Sequence, residues 1–377
     1  MKKLEFPKTN SLDIELYKNK ETISFYKSNN QLVRGINNYF PGSGYLEIYE
    51  NKLFLISATG LFAYSDNFYD DSIVFNQIKN NINDFLSFDE INQENWFSIK
   101  DLLVTNGNVY VSFTNEQKKN CWNTSVIVAK LNFDYLNFKN FFEPNNCVKA
   151  IGNEDNEFNA HQSGGKLFKY DNSNIIFTTG DYRLRKLSQD VNSTFGKILK
   201  LNTYSKKYEI LSLGHRNPQG LFYNSDEDFI LSTEHGPDGG DEINLNLNTK
   251  IIKNFGWAIS SYGEHYGGKD NPSNIGKYKK YPLHKSHKDY NFVEPLKYFV
   301  PSIGISQLVK IEERKFLLSS LKDKSIYTFT LNKKYEMDEF QRIEIGERIR
   351  DMVYNNEKRE LVLFFEDTAS IGILSIK

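Results

Sequence analysis

A pattern that recurs six times along the chain constrains its fold most strongly. Each copy consists of an apolar run, a short polar turn, a second apolar run and a polar exit, as in LFYNSDEDFILSTEH. Two short apolar runs joined by a polar turn predict a β-hairpin. The copies begin at Tyr45, Leu102, Leu167, Leu221, Leu308 and Met352.

Further strand-like runs lie between the hairpins: Ser125–Leu131, Gly196–Leu201, Ser325–Leu331 and Ser370–Ile376. Hairpins recurring every ~45–90 residues indicate a repeat architecture, and about four strands per repeat are typical of a propeller blade. Helical periodicity is found only near Phe75–Leu86. The sequence therefore predicts an all-β fold, a six-bladed β-propeller with four-stranded antiparallel blades. Residues 1–377 are expected to form one domain.

Composition narrows the function classes. The 377 residues carry a formal net charge of -1, and this disfavours a broad nucleic-acid-binding surface. No apolar run approaches the ~18 residues that a membrane-spanning helix needs. The first ten residues, MKKLEFPKTN, lack the apolar region of a signal peptide. We therefore expect no nucleic-acid partner, no membrane span and no signal peptide in the sequence as it stands.

Residues 260–300 form a long segment rich in Lys, Tyr, Gly, Asn and Pro, with no clear strand pairing. Long segments of this kind in compact domains often cover a binding site. We expect a loop over the active-site face, and the alternative is a disordered surface excursion.

Polar residues at the ends of the hairpins indicate a common site. In a propeller, the innermost strand of each blade borders a central channel. The loop that leads into this strand and the exit of the second strand then lie at the same mouth. The repeat register therefore predicts that residues far apart in sequence converge there. They are His161, Asp181, Arg216, Asn217, His235, Lys322, Arg348 and Arg350.

The charges of this set predict its ligand. Four members are fixed cations, namely Arg216, Lys322, Arg348 and Arg350. Such a cluster repels itself unless an anion is bound. Because arginine matches carboxylate geometry, the sequence predicts a small anion with several carboxylates. Within the same set, Asp181 could orient His161 as a base.

The Gly236–Pro237 corner predicts a calcium site, because proline has no N–H and free carbonyls are ligands for hard cations. Ordinary structural interpretations exist beside these predictions. A single histidine is often a structural hydrogen-bonding group, Arg350 and Asp351 could form a salt bridge between blades, and GPDGG could be only a turn. The shared register of the hairpins favours the functional interpretation.

The two cysteines, Cys121 and Cys147, leave two interpretations open. They are either free thiols or a local disulfide, which would indicate an oxidising compartment. No further cysteine or nearby pair of histidines completes a zinc site.

Several motifs occur in order: HQSGGKLFKYDNSNIIFTTGD, GKILKL, GHRNPQGL, STEHGPDGGDEINL, NFGW, PSIGIS, SLK and ERIRD. With them, the chain from about Phe158 to Lys377 resembles the soluble pyrroloquinoline quinone (PQQ)-dependent glucose/sorbosone dehydrogenases, also called aldose sugar dehydrogenases. The resemblance implies a six-bladed propeller that binds PQQ and Ca²⁺ at the channel mouth. It also favours the disulfide and a periplasmic or secreted location.

Carried over motif by motif, the resemblance implies a role for each residue at the mouth. His161 would be the general base and Asp181 its partner. Arg216 would lie beside the reactive quinone carbonyl, and Asn217 would form a hydrogen bond with the cofactor. The residues holding the cofactor's carboxylates would be Lys322, Arg348 and Arg350.

For calcium, the resemblance implies the backbone carbonyls of Gly236 and Pro237, with Asp241 and Glu242 in a second calcium region. The chain also departs from the family pattern. Where many members have a Gln-Gly-Gly-Leu-Leu stretch, this chain has NWFSIKDLLV, which places Trp96 or a neighbour at the glutamine. Phe255 stands where tyrosine is usual.

The implied reaction is oxidation of an aldose at its anomeric carbon to a lactone. His161 would take the hydroxyl proton while hydride passes to the quinone. Expected partners are a sugar substrate and an external electron acceptor, with a homodimer as a possible assembly. Two alternatives remain: a ligand-binding propeller that has lost quinone turnover, and a calcium-dependent lactonase or esterase on the same fold.

Overall fold

The structure is a computed structural model that describes residues 2–4, 14–22, 43–66, 75–87, 89–90, 96–368 and 370–376. Before residue 43 it describes the backbone alone. Most of the first ten residues, on which the signal-peptide prediction rests, lie outside this description.

The strands in the first half of the chain are β1 (Lys2–Leu4), β2 (Ile14–Thr22), β3 (Gly44–Tyr49), β4 (Lys52–Ser57), β5 (Phe62–Ser65), β6 (Asn76–Asn80), β7 (Ile99–Thr105), β8 (Asn108–Lys118), β9 (Cys121–Lys130), β10 (Tyr135–Leu136), β11 (Lys139–Phe142), β12 (Val148–Lys149), β13 (Gly164–Lys169) and β14 (Asn174–Thr179). Those in the second half are β15 (Lys197–Asn202), β16 (Tyr208–Leu213), β17 (Pro218–Asn224), β18 (Phe229–Glu234), β19 (Asp241–Leu247), β20 (Lys253–Asn254), β21 (Lys297–Phe299), β22 (Ile305–Glu312), β23 (Lys315–Ser320), β24 (Ser325–Leu331), β25 (Met337–Glu344), β26 (Ile349–Asn355), β27 (Glu360–Phe365) and β28 (Ser370–Ile376).

These strands form six sheets, and the predicted six-bladed propeller is confirmed. The six predicted hairpins are the first two strands of each blade. Their inner strands β3, β7, β13, β17, β22 and β26 contact one another in a closed ring around the channel. The blades contain four or five strands rather than four throughout, because short segments add to the outer edges. In the last blade, β2 pairs with β28, so segments from both ends of the chain share one sheet.

The core lies between neighbouring blades, as the second strand of the fourth blade illustrates. Successive side chains of a strand point to opposite faces. Phe229 and Leu231 therefore pack against the next blade with Phe316, whereas Ile230 packs against the preceding blade with Ile198. Burial of each such side chain stabilises the fold by roughly 1.5–3 kcal/mol. Apolar residues on both faces of β18 thus hold three blades together.

Register shifts occur in five of the six inner strands among the described residues, close to where each strand begins. An extra residue in one strand of a pair redirects the local side chains. The extra residues are Lys100 in β7, Gly165 and Lys166 in β13, Gln219 in β17, Ser306 and Gln307 in β22, and Arg350 in β26. These irregularities re-aim polar groups beside the channel.

Helices are few and short. The α-helix α1 spans Ile275–Lys280, and 3-10 turns span Ile82–Asp84, Arg185–Ser188, Pro272–Asn274 and Lys288–Tyr290. The helical prediction near Phe75–Leu86 is wrong, because this stretch forms β6 and a 3-10 turn. Within the described residues, no helix combines the length and the apolar character needed to cross a membrane.

The segment 260–300 is more ordered than predicted. It contains α1 and two of the 3-10 turns, and it ends in β21, which pairs with β19 as the outer strand of the fourth blade. The prediction that it lacks strand pairing is therefore wrong. The predicted Cys121–Cys147 disulfide is confirmed, and it links the start of β9 to the segment that precedes β12.

Candidate active site

His161 lies in the loop that leads into inner strand β13. Its backbone N–H donates to Asn159 Oδ1 at 2.8 Å, and its ring centroid lies 5.4 Å from that of Trp96. Burial, followed by the charges of Lys100 and Arg350, lowers the pKa of His161 to about 3. His161 keeps an exposed surface, and solvent there weakens the shift in its pKa. The lowered pKa favours a neutral imidazole. A neutral ring open to solvent can accept a proton.

Asp181 is fully buried, and it is not paired with His161 as the sequence predicted. Its Oδ1 accepts hydrogen bonds from Gln162 Nε2 at 2.5 Å and from the backbone N–H of Arg183 at 2.8 Å. Its Oδ2 accepts from Trp257 Nε1 at 2.6 Å. Buried carboxylates bind the nearest donors that packing supplies. Asp181 therefore positions Gln162 and Trp257 instead of orienting the histidine.

Arg216 is buried beside Trp257, with its guanidinium carbon 5.4 Å from the centroid of that ring. Its Nη1 donates to the carbonyl of His235 at 2.8 Å, and its Nη2 donates to the Tyr266 hydroxyl at 3.3 Å. Tyr266 belongs to segment 260–300, so this segment contacts the predicted site. Buried Nε of Arg216 has no hydrogen-bond partner within the described part of the chain.

A buried hydrogen-bonded chain holds the backbone at Arg216. Ser212 Oγ lies 2.8 Å from His215 Nε2, and His215 Nδ1 lies 2.9 Å from Glu234 Oε2. The other oxygen of Glu234 accepts the backbone N–H of Arg216. A network whose members are all satisfied fixes the geometry around it. His215 thus helps to fix the backbone of Arg216 through Glu234.

Asn217 is buried next to Arg216. Its Oδ1 accepts the backbone N–H of Gly164 at 3.0 Å and Gln219 Nε2 at 2.9 Å. These bonds leave the two N–H groups of its amide without a partner among the described residues. The amide can therefore donate to a bound molecule.

Arg348 and Arg350 share one carboxylate that the sequence analysis missed. Glu366 Oε2 lies 2.8 Å from Nη2 of Arg348, and Glu366 Oε1 lies 2.6 Å from Nη2 of Arg350. Glu366 is nearly fully buried, and burial opposes its ionisation. The two guanidiniums outweigh this effect and lower the pKa of Glu366. The prediction of four uncompensated cations is therefore wrong for these two arginines.

Asp351 gives a second correction. The alternative salt bridge between Arg350 and Asp351 is not formed. The oxygens of Asp351 accept the backbone N–H of Leu46 at 2.8 Å and contact Lys166 Nζ at 3.2 Å. Lys166 also binds Asp101 at 2.7 Å. This buried group of charges joins inner strands of neighbouring blades.

His235 shows that cations from separate blades share one region. Burial lowers the pKa of His235. The charge of Asp241 raises this pKa, and the charges of Arg350 and Arg216 lower it further. Both arginines therefore lie within electrostatic range of the same imidazole. The buried Nε2 of His235 has no hydrogen-bond partner in the described structure.

Lys322 lies at the exit of β23 and is exposed. Gly304 packs closely against the backbone of Lys322, because a Cβ at Gly304 would come within 2.9 Å of the Lys322 nitrogen. The N–H of Gly304 donates to Asp241 Oδ2 at 2.7 Å. These contacts connect Lys322 to the region around His235. Its ammonium has no acidic partner among the described residues.

The predicted calcium ligands divide into two groups. No described N–H donates to the carbonyls of Gly236 and Pro237, so these oxygens are free to bind a cation. Asp241, in contrast, accepts backbone N–H groups from Gly236 at 3.0 Å and from Ile305 at 3.0 Å, in addition to Gly304. Both carboxylate oxygens of Asp241 thus hold neighbouring backbone, and its role as a metal ligand stays a prediction.

Glu242 is also occupied. Its Oε1 lies 3.5 Å from His287 Nε2, and its Oε2 accepts from Asn244 Nδ2 at 3.3 Å. The backbone carbonyl of Phe255 lies 2.9 Å from His287 Nδ1. Among the described residues, no group of three or more His, Cys, Asp and Glu side chains could hold a metal ion. The second calcium region at Asp241 and Glu242 stays a prediction, and it would need further oxygen ligands from the backbone or from amide side chains.

Comparison with known proteins places the chain in a family. The sequence profile of the glucose/sorbosone dehydrogenases matches residues 99–373, and the chain belongs to this family. It is 29% identical over 210 residues to aldose sugar dehydrogenase YliI of Escherichia coli K12, which covers 50% of this chain and 53% of that protein. It is 30% identical over 140 residues to quinoprotein glucose dehydrogenase B of Acinetobacter calcoaceticus, 28% of each chain. The chain thus spans about half, or less, of the length of these relatives.

Solved structures share the fold. The soluble aldose sugar dehydrogenase of Escherichia coli in its apo-form superposes with a TM-score of 0.66 at 19% identity, over 89% of this chain and 95% of that one. The PQQ-bound aldose sugar dehydrogenase of Streptomyces coelicolor gives a TM-score of 0.63 at 16% identity, with the same coverage. At these identities the likeness establishes the fold alone.

Proposed function

We propose that this protein is a PQQ-dependent sugar dehydrogenase that oxidises an aldose at its anomeric carbon to a lactone. The observation that carries the proposal is the exposed imidazole of His161 beside Trp96, in the loop that leads into inner strand β13, where burial and the charges of Lys100 and Arg350 lower its pKa. Such a site combines a proton acceptor with positive charge. Membership of the glucose/sorbosone dehydrogenase family supports it.

The donors at the mouth suit a polycarboxylate cofactor. Three donor groups have no partner among the described residues. They are the ammonium of Lys322, the N–H₂ group of Asn217 and Nε2 of His235. Arg350 adds charge, although Glu366 reduces it. The free carbonyls of Gly236 and Pro237 suit Ca²⁺, with its remaining ligands coming from outside this pair.

The residues then have distinct tasks. When bound, the quinone supplies the acceptor for the hydride that leaves the anomeric carbon. His161 Nε2 or Nδ1 takes the proton of the anomeric hydroxyl, and loss of that proton together with the hydride leaves the lactone. Arg216, held by Glu234 and Trp257, presents a fixed positive charge where negative charge develops. The Tyr266 hydroxyl accepts a hydrogen bond from this arginine and connects segment 260–300 to it.

A test is reconstitution of the purified protein with PQQ and Ca²⁺. Cofactor binding is followed by fluorescence titration and turnover by dye reduction over a panel of aldoses. We expect micromolar or tighter binding and reduction with at least one sugar. If PQQ does not bind at micromolar concentrations, the enzymatic proposal is wrong.

One observation favours the alternative of a binding propeller without turnover. The Trp96 ring lies against His161, in the stretch that replaces the glutamine of the family motif. A bulky ring there could restrict approach of a sugar to the base. Cofactor binding without dye reduction, together with recovery of turnover in Trp96→Gln, would identify this case. The lactonase alternative requires carboxylate ligands at the mouth, whereas the carboxylates of Asp181 and Asp241 are bonded to protein donors.

The remaining assignments follow the same proposal. The disulfide supports a periplasmic or secreted location, because such bonds persist in oxidising compartments. An external electron acceptor is required to return the cofactor to its oxidised form. A homodimer stays a prediction, testable by light scattering.

A further inference from the structure

Lys100 is the extra residue at the bulge of inner strand β7. The pairing passes from Ile99 opposite Phe113 directly to Asp101 opposite Ser112, so Lys100 has no partner in the ladder. Ile99 and Asp101 are buried, whereas Lys100 is half-buried. The bulge therefore takes Lys100 out of the regular ladder of β7 and β8.

The position of Lys100 is fixed by the next blade. A Cβ added to Gly165 of β13 would meet the Lys100 Cβ at 2.3 Å, so only glycine fits there. The charge of Lys100 lowers the pKa of His161. The charge of Arg350, the extra residue of β26 two blades away, lowers the pKa of Lys100. Lys100 thus lies within electrostatic range of the proposed proton acceptor.

Two other cations at the bulges of inner strands, Lys166 and Arg350, have carboxylate partners among the described residues, and Lys100 does not. Lys166 contacts Asp101 at 2.7 Å, and Arg350 binds Glu366 through Nε and Nη2. No described acidic side chain contacts the Lys100 ammonium. Burial, and next the charge of Arg350, lower the pKa of Lys100 to about 7, with Glu366 opposing. A negative group placed beside it would restore the favourable charged form.

We infer that Lys100 is an anion-binding residue of the channel that holds a carboxylate group of a bound molecule together with Arg350. The inference deepens the proposed function and rests on it for the class of ligand. Arg350 Nη1 has no hydrogen-bond partner among the described residues and can donate a hydrogen bond to the ligand's carboxylate. Lys100 supplies a point charge beside it. The carboxylate belongs either to the quinone cofactor or to an acidic sugar such as a hexuronic acid, and the experiment separates these sources.

The test compares two variants. Lys100→Met keeps the approximate length of the side chain but removes its charge, and Lys100→Arg keeps the charge. Lys169→Met is the matched control, because Lys169 is an exposed lysine at the far end of inner strand β13. Binding of PQQ to the purified protein is titrated by fluorescence, and KM is measured for glucose and for glucuronate. Circular dichroism and thermal melting establish that each variant is folded.

If the cofactor is the source, Lys100→Met weakens PQQ binding about tenfold or more, and Lys100→Arg and Lys169→Met stay near the wild type. If the acidic sugar is the source, PQQ binding is unchanged, and KM for glucuronate rises about tenfold while KM for glucose does not. If neither quantity changes, the inference is wrong.

A second measurement does not depend on turnover. Trinitrobenzenesulfonate, which attacks neutral amines, should modify Lys100 near neutral pH, and peptide mass spectrometry locates the label. PQQ, glucuronate or the simple tricarboxylate trimesate is added as a protecting ligand. If the wild type binds no PQQ, the proposed function fails, but protection of Lys100 by either of the other two carboxylates still supports the inference. Labelling that none of the three reduces overturns it.

Discussion

Replacement of Glu366 by glutamine tests how charge is arranged at the channel mouth. The carboxylate accepts from Arg348 Nε at 2.9 Å and from Arg350 Nε at 2.9 Å, in addition to the two shorter contacts with their Nη2 atoms. Side-chain exposures are 2% for Glu366, 17% for Arg348 and 16% for Arg350. Glutamine keeps the shape, but it loses the charge and turns an N–H₂ group toward one guanidinium.

Removal of one partner from a buried ion pair typically costs 3–5 kcal/mol, because the remaining charge is left uncompensated. Partial exposure of both arginines places the expected loss near the lower end, about 3 kcal/mol. The assay is urea unfolding followed by fluorescence at pH 7, without added cofactor. The matched control is Asp367→Asn. Asp367 binds Lys324 at 2.7 Å with exposures of 30% and 43%, and it lies 3.8 Å from Arg348 Nε, so this variant removes a neighbouring but exposed carboxylate. Loss of an exposed pair costs about 0–1 kcal/mol.

The pH dependence gives an independent check. Because the pKa of Glu366 is lowered in the folded protein, the ion pair stabilises the fold fully above the unfolded carboxyl pKa of ~4.3. This stabilisation is lost as the pH falls through the folded pKa. The difference between wild type and Glu366→Gln should therefore be constant from pH 6 to 8 and shrink below about pH 4. A Glu366→Gln variant no less stable than Asp367→Asn would refute the reasoning.

Three further predictions concern catalysis, cofactor binding and stability. His161→Ala should retain PQQ but lose turnover about 10²–10⁴-fold, the usual contribution of a general base, as measured by steady-state dye reduction. Lys322→Ala should weaken PQQ binding about tenfold in fluorescence titration, because it removes a cation whose charge no described acid compensates. Cys121→Ser with Cys147→Ser should lower the free energy of unfolding by about 3 kcal/mol in urea, because the bond closes a loop of 26 residues.

Each of these has a contrary outcome. Unchanged turnover in His161→Ala would remove this residue as the base, and unchanged affinity in Lys322→Ala would remove it from the cofactor site. For the disulfide, the reduced wild type should match the double variant, and a double variant as stable as the oxidised protein would contradict the expected constraint on the unfolded chain.

The blade architecture could be predicted because its determinants are local. Alternating apolar residues and short polar turns specify a hairpin within about fifteen residues, as in Leu221–Glu234, and six such hairpins specify a repeat fold. The same repeat register indicated that Arg216 and Arg350 approach one mouth, because equivalent positions in a closed ring face the same channel. Motifs such as GHRNPQG and EHGP further indicated the family through their resemblance to it. Both motifs lie at the ends of the strands of one hairpin, β17 and β18.

Tertiary packing alone decided which polar groups are partners. Asp181 binds Trp257, 76 residues away, and not the neighbouring His161. Glu366 lies between two arginines, and β2 joins the last blade. A buried carboxylate is bound by the donors that packing brings within about 3 Å, and sequence patterns carry no information on that distance. The amino-acid sequence by itself therefore determined the strands, their repeat and the mouth toward which charges point. The final compensation of those charges depended on how the blades pack against one another.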